Sequence, residues 1–298
     1  MDSLEALIKA KIPCEETGIR VCHTVCAICS PANNCGVNAY VRDGRMVKLE
    51  GMDEHPQSKG RMCVKGLSGR QFAYREDRIL TPLKRVGERG EGKFEPITWE
   101  QAYEIASRLN GIKAEYGADA VAFFGGYNKW YRPWLRRLAH SFGTMNFGTE
   151  SSTCMTAGWM AWKTASGQLA RPDMAHTDLY LGWAMNPYFS GYAKATAIEK
   201  RREKGMKVII VDPKITPAVE RLCDLYLRPY PGTDGALALC MGNILIENGW
   251  IDAAYIEKYV HGFEEYKAYV KQFNESNVEA LTGVPYEQVL EACRMIWE

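Results

Sequence analysis

An excess of charge of either sign is missing from this chain: 37 basic residues stand against 36 acidic ones in 298, a formal net charge of +1. Without a basic surplus there is no electrostatic case for nucleic acid or an anionic membrane surface as a partner. Also missing is any apolar run of the length a bilayer crossing needs, and the opening Met1-Asp-Ser-Leu-Glu-Ala-Leu7 carries neither a basic segment nor a twin arginine. The chain is therefore expected to be cytoplasmic, with no direct membrane insertion. Histidine is sparse, and His23, His55, His140, His176 and His261 show no metal-ligand spacing. No Gly-x-Gly-x-x-Gly follows a strand-like run, which argues against a nicotinamide or flavin site. Internal repeats and low-complexity tracts are absent as well.

Cysteine, by contrast, is plentiful and unevenly placed. Six of the ten cysteines precede residue 64, a distribution that suits metal ligation in a reducing compartment better than a disulfide framework. Cys26-Ala-Ile-Cys29 is followed after five residues by Cys35 and after a further 27 by Cys63. Three thiols in one loop with a distant fourth suit a 4Fe–4S cluster, which takes four thiolates and tolerates uneven spacing. Zinc is the alternative, although its sites more often show two Cys-x2-Cys pairs and just one is present. Cys14 and Cys22 read as bystanders, with Cys22 the residue that would replace a ligand if the register shifted by one cysteine. Between Cys35 and Cys63, Val37–Val41 alternates as a strand, Asp43-Gly44 fits a two-residue turn, and Met46–Leu49 reads as the returning strand. The cluster is expected at the base of that hairpin.

Gln71 to Gly92 is polar and turn-rich, with Asp77 to Pro82 closing the first module. Thr98-Trp-Glu-Gln101 is a capping-box pattern, and Ala102, Ile105, Ala106, Leu109 and Ile112 recur at helical spacing up to Gly117. Ala120–Phe124 followed by Gly125-Gly126 has the form of a buried parallel strand and its loop, and a helix is expected over about Trp134–Phe142. The alternation repeats with a helix after Thr153, a strand at Leu179–Trp183, a helix from about Gly191 to Lys204 and a strand at Lys207–Val211. Helices are expected beyond Thr233, over Leu237–Glu247, Ala253–Val260, Glu264–Lys271 and Pro285–Trp297. The fold class is α/β: a small amino-terminal β-rich iron–sulfur module over residues 1–82, followed by a doubly wound parallel-sheet region over residues 83–298. The charge runs Arg136-Arg137 and Glu199–Lys204 read as solvated helix faces.

In open parallel sheets, ligands bind beyond the carboxyl ends of the strands. That rule selects Gly182-Trp-Ala-Met-Asn186-Pro187, Asp212-Pro213 and Gly232-Thr233-Asp234. An Asp at a strand end can accept from both ribose hydroxyls, helix-start amides can hold a pyrophosphate, and a second Asp can accept from the N1–H and exocyclic amine of guanine. Taken singly, Asp212 reads equally as a helix cap, and Gly232-Thr233-Asp234 as a turn and N-cap. Cys154, in Glu150-Ser-Ser-Thr-Cys154-Met155, opens an apparent helix whose amino-terminus would favour its thiolate, although taken singly the default reading is a buried structural cysteine. Trp130-Tyr131, Trp134, Trp159 and Trp162 gather on both sides of it, with core packing the default reading and a substrate funnel the alternative.

Cys26-x2-Cys29, Cys35, the hairpin and Arg61-Met-Cys63-Val-Lys65-Gly66 resemble the amino-terminal cluster module of the molybdopterin guanine dinucleotide oxidoreductases, the dimethyl sulfoxide reductase family. Asn186-Pro187, Asp212-Pro213 and Pro231-Gly-Thr-Asp234 resemble, in that order, the guanine dinucleotide loops of the same family. The five residues between Cys29 and Cys35 depart from the usual three. The resemblance implies Cys26, Cys29, Cys35 and Cys63 as ligands of a 4Fe–4S cluster. It implies Asn186, Pro187, Asp212, Pro213, Gly232, Thr233 and Asp234 as contacts of molybdopterin guanine dinucleotide, present as the bis form in a complete site. Cys154 becomes the protein thiolate on molybdenum or tungsten, beside four dithiolene sulfurs, and Lys65 a catalytic cation between cluster and pterin.

The implied function is two-electron oxygen-atom transfer, or reductive dehydroxylation, on a small-molecule substrate. Electrons would pass through the cluster to an iron–sulfur partner subunit. Family members are usually more than twice as long, and the second half of their fold is missing here. One alternative is therefore a pterin- and cluster-binding electron-transfer chain completed by a separate polypeptide. Another is a tungsten-dependent hydratase. In the resembled formate dehydrogenases a His follows the metal-ligating residue, whereas Met155 follows Cys154. Formate oxidation is not expected, which leaves oxyanions and hydroxylated organic compounds as candidate substrates.

Overall fold

The computed structural model describes residues 3–26, 28, 35–127, 131–170 and 172–298. The chain divides into two compact units, one made of Met1–Arg70 with Pro172–Glu298 and the other of Gln71–Arg171.

The first unit opens with helix α1 (Leu4–Ala10), whose N-cap Ser3 accepts from the Ala6 amide. Strands β1 (Arg20–Cys26), β2 (Cys35–Arg42) and β3 (Arg45–Gly51) then form an antiparallel sheet in that order. The β2–β3 hairpin is the one the sequence predicts. Asp43 and Gly44 both take positive φ, 49° and 73°, the backbone that lets a two-residue turn follow the twist of its strands. β1 is not visible in the sequence because it is an edge strand, exposed along most of its length, so no face of it alternates between apolar and polar. Short helices α2 (Val64–Leu67) and α3 (Gly69–Ala73) follow.

In the second unit, β4 (Leu83–Arg85) and β5 (Phe94–Pro96) pair antiparallel around the Gly-rich turn. The expected capping box forms: Thr98 Oγ1 accepts from the Gln101 amide at 3.3 Å and Gln101 Oε1 from the Thr98 amide at 2.9 Å. It opens α4 (Trp99–Ala102), and α5 (Glu104–Tyr116) continues after Tyr103. The expected strand at 120–124 is displaced to β6 (Phe123–Gly125), because Ala118–Ala120 is taken by a single 3₁₀ turn. Helix α6 (Arg132–Phe142) crosses from β6 to its parallel neighbour β7 (Phe147–Thr149), and α7 (Met155–Ser166) follows.

The return to the first unit supplies the parallel sheet β10-β9-β8, made of β8 (Leu179–Trp183), β9 (Lys207–Val211) and β10 (Leu225–Leu227). Helices α8 (Pro187–Ser190), α9 (Tyr192–Arg202) and α10 (Pro217–Leu222) lie between these strands in the chain. After β10 come α11 (Asp234–Glu247), α12 (Ala253–Tyr259), α13 (Phe263–Val270), α14 (Val278–Thr282) and α15 (Tyr286–Trp297). β9 is buried on both faces, and its alternation sorts the helices. Val208 and Ile210 pack with Ile198 of α9 and with Ala218 and Leu222 of α10. Ile209 and Val211 pack with Leu237 and Ile244 of α11, Val278 of α14 and Val289 of α15. Helices on both faces of a parallel sheet are the doubly wound arrangement expected. Among the described residues no helix is long and apolar enough to cross a membrane.

Leu237 is fully enclosed between α11, β9 and α15. Leu237→Ala should lower the unfolding free energy in denaturant by about 2–5 kcal/mol. Leu80→Ala, at a largely exposed site, should change it by less than about 0.5 kcal/mol.

Candidate cluster and cofactor site

Strand register brings the cysteines together. Cys26 ends β1 directly opposite Cys35, which begins β2. The chain then returns to this end of the sheet through close backbone approaches that only glycine permits. A Cβ on Gly51 would lie 1.9 Å from the Gly60 carbonyl oxygen, and one on Gly36 would lie 2.4 Å from the His55 Cβ. Buried Ser58 fastens the return by accepting from the Gly36 amide at 3.0 Å. Cys63 caps α2, and a Cβ on Gly66, three residues on, would stand 3.3 Å from the Cys26 sulfur. Cys26, Cys35 and Cys63 thus converge on one end of the antiparallel sheet. Cys29 lies outside the described residues.

Cys22 is four residues back along β1, paired with Ala39, which places it roughly 13 Å from Cys26 at the rise of a strand. Its side chain is exposed, and Cys14 sits in a loop beside Thr17. Among the described residues, no three His, Cys, Asp or Glu groups crowd closely enough to share a single ion. A cubane puts each thiolate on its own iron, so its cysteines need not crowd in that way.

Lys65 joins this end of the module to the parallel sheet. From α2 its Nζ donates to the Phe189 carbonyl at 2.5 Å. Phe189 belongs to the one-turn helix α8, whose late carbonyls have no partner within the helix, so an ammonium group is well placed to satisfy one. α8 begins at Asn186-Pro187, with Asn186 as its N-cap and Pro187 in its first turn.

The remaining candidates line the carboxyl edge of the parallel sheet. After β8, Ala184 takes a positive φ of 50° and donates its amide to the Val211 carbonyl at 2.7 Å. After β9, Asp212 is 7% exposed, and its Oδ1 accepts from the Lys214 amide at 3.0 Å. Tyr226 donates to the Asp212 carbonyl at 2.9 Å and Arg228 to the Pro213 carbonyl at 3.1 Å. After β10, Gly232 turns with φ +88°, Thr233 donates its hydroxyl to the Tyr230 carbonyl at 2.8 Å, and Asp234 opens α11. Trp183, the last residue of β8, donates its indole N–H to Asp234 Oδ1 at 2.8 Å.

Two buried polar atoms in these strand-end loops, Asn186 Oδ1 and Thr216 Oγ1, have no hydrogen-bond partner among the described residues. Unmet buried polar groups are costly, and beside an open strand edge they fit a polar ligand such as a nucleotide. Sequence reading placed Trp183 in a selected loop without a role for its indole and missed Thr216, because an indole reaching another loop and an unmet hydroxyl leave no mark on local spacing.

Cys154 belongs to the other unit. It is the exposed N-cap of α7, with φ −113° and ψ −95°, and it follows a single turn at Glu150–Ser152. Arg132 forms an ion pair with Glu150 and donates to the Gly126 carbonyl at 2.9 Å, tying the β6–α6 loop to the turn before Cys154. The same guanidinium holds the Glu150 carboxyl below the usual carboxylate range. The buried structural reading of Cys154 is corrected by its exposure, and core packing of the neighbouring aromatics is corrected too. Trp134 on α6 is 69% exposed, and Trp159 and Trp162 are 49% and 46% exposed on α7, which buries none of its residues. Trp130 lies outside the described residues.

A cysteine-bearing antiparallel module joined to a parallel sheet with an open polar edge is the build of a protein that holds a metal cluster beside an organic cofactor. Residues 19–75 match the family model described as the molybdopterin oxidoreductase Fe4S4 domain, and residues 78–281 match the one described as molybdopterin oxidoreductase. The chain belongs to the molybdopterin oxidoreductase family, and its cofactors are a 4Fe–4S cluster and a molybdopterin carrying molybdenum or tungsten. It is 32% identical to a probable oxidoreductase of Bacillus subtilis, over 92% of this chain and 41% of the relative. It is also 32% identical to the thiosulfate reductase molybdopterin-containing subunit of Salmonella typhimurium, over 91% and 36%. Among solved structures it is similar to the acetylene hydratase of Pelobacter acetylenicus, with a TM-score of 0.74 and 28% identity over 92% of this chain and 38% of that one. The chain thus spans about two fifths of the length of these relatives.

Cys63→Ala removes a thiol that no described neighbour can replace, so the visible cluster absorbance of anaerobically purified protein should be lost. Cys22→Ala should leave that absorbance unchanged. The opposite pattern, bleaching with Cys22→Ala and none with Cys26→Ala, would show the ligand register to be off by one cysteine.

Proposed function

We propose that this chain forms the cluster-binding and dinucleotide-binding portion of a molybdenum or tungsten oxidoreductase. The reaction is two-electron oxygen-atom transfer or reductive dehydroxylation of a small substrate, with electrons leaving through the cluster to an iron–sulfur partner subunit. In this reading residues 1–82 hold the cluster through Cys26, Cys29, Cys35 and Cys63. Residues 83–298 hold a guanine dinucleotide form of the pterin: Asn186-Pro187 and Asp212-Pro213 along the sheet edge, Gly232-Thr233 at the start of α11, and Asp234 on the guanine. Cys154 is the protein ligand to the metal. The bound metal supplies two-electron exchange and the cluster single-electron steps. Lys65 places a positive charge between the two sites, and the clustered amino-terminal thiols suit a cytoplasmic location.

The observation that carries the reading is the bond from Lys65 to the Phe189 carbonyl. It joins the cysteine end of the module to the turn that begins at Asn186, whose buried Oδ1 lacks a partner among the described residues. The test is composition: protein made anaerobically in molybdenum-supplied cells should contain about four iron atoms per chain together with guanine dinucleotide pterin. Stoichiometric zinc with neither iron nor pterin would overturn it. The similarity to an acetylene hydratase favours a second reading, hydration without net redox change. Product formation that persists with no electron donor or acceptor would select it.

Met155 bears on the substrate. A thioether can neither accept nor relay the proton released when formate is oxidised, whereas an imidazole at that place can do both. A metal-replete, full-length form should therefore fail to oxidise formate with an artificial electron acceptor, although the chain is 29% identical to formate dehydrogenase H of Escherichia coli. Turnover on the order of 10 per second or faster would refute this.

A further inference from the structure

Asp234 sits where a helix cap would be ordinary, yet its side chain is not spent on its own helix. Thr233 is the N-cap of α11 and makes no side-chain capping bond, and the hydrogen bond to the Asp234 carboxylate comes from across the sheet edge, from the Trp183 indole. Trp183 ends β8, and its ring packs against the core that β9 builds with α11 and α15. The donor is therefore held by the rigid sheet and the acceptor by the first turn of a long helix.

A carboxylate has two oxygens and about four lone-pair sites, and it turns freely about its last torsion unless something holds it. Guanine offers N1–H and one exocyclic N–H side by side, a pair that both oxygens must face together. The single N–H of Trp183 occupies one site on Oδ1 and restrains rotation of the group, leaving the remaining sites for such a pair. We propose that Trp183 is a positioning residue for guanine recognition: by holding Asp234 through Nε1–H···Oδ1, it orients the carboxylate toward the base's paired donors. This rests on the reading of Asp234 as the guanine ligand.

The experiment titrates the 298-residue chain with GMP and with IMP, which lacks the exocyclic amine. Trp183→Phe and Trp183→Tyr are compared in parallel, both keeping an aromatic ring and removing the indole donor, with Asp234→Asn alongside. The wild-type chain should prefer GMP, and Asp234→Asn should abolish the preference. Each Trp183 variant should bind GMP roughly two- to tenfold more weakly, the scale of leaving one side chain unfixed before binding, with IMP weakened less. A purely structural role for Trp183 would weaken both nucleotides by the same factor, and that result overturns the proposal. So does an unchanged preference in the Trp183 variants while Asp234→Asn loses it, with the Asp234 reading left standing. A wild-type chain with no preference, or an Asp234→Asn variant that keeps one, removes the Asp234 reading and the role of Trp183 with it.

Discussion

Burial of β9 on both faces is the constraint from which the polar loop edge of the parallel sheet follows. A strand with Val208 and Ile210 on one side and Ile209 and Val211 on the other can be satisfied only by helices above and below it. Parallel neighbours connected through α9 and α10 put the carboxyl ends of β8, β9 and β10 on one edge. The chain must leave the core there, and it cannot do so as regular structure. Buried Asp212, the Ala184 backbone at positive φ and the cross-edge bond from Trp183 to Asp234 all occur where β8 and β9 stop or where α11 begins. The apolar interior makes no chemistry itself, but it fixes where polar groups can converge without water between them.

The antiparallel module solves a different problem, which is to bring distant thiols together with little apolar core. It does so by close approach at glycines. A Cβ on Gly51 would collide with the Gly60 carbonyl and one on Gly36 with the His55 side chain, so the segment from Met52 to Met62 lies directly on the hairpin. Cys63 returns to Cys26 by that route. Because α2 then starts at Cys63, Lys65 is carried to the Phe189 carbonyl one turn beyond Asn186. The cysteine end of the module and the α8 turn at the carboxyl edge of the parallel sheet are thus joined by an ammonium group, whose charge also suits the carbonyl end of a short helix.

How much of this was legible in the sequence follows from how local each signal is. Asp43-Gly44, the Thr98–Gln101 capping box and the apolar run Lys207–Val211 act on residues within a few positions of themselves, and each forms as read. β1, β7 and β10 are not legible. β1 is an exposed edge, and β7 and β10 have three residues each, too few for a period to register. The order of Asn186, Asp212 and Asp234 could be read, but not which atoms are spent. Only the fold shows that Asn186 Oδ1 and Thr216 Oγ1 are buried without partners among the described residues while Asp234 already holds an indole.

Cys154 marks the limit most clearly. Taken singly, a cysteine opening a helix rich in Trp and Met reads as core, because apolar neighbours normally mean burial. The helix α7 instead buries none of its residues within Gln71–Arg171. Its hydrophobic character therefore cannot come from a demand for packing inside that unit, and its Trp and Met side chains are available to line something else. The exposed thiol, the apolar helix surface and the turn pinned by the Arg132–Glu150 ion pair thus lie together on one segment whose side chains are not spent on a core within Gln71–Arg171. Composition could not separate these two origins of hydrophobicity, since both select the same residues.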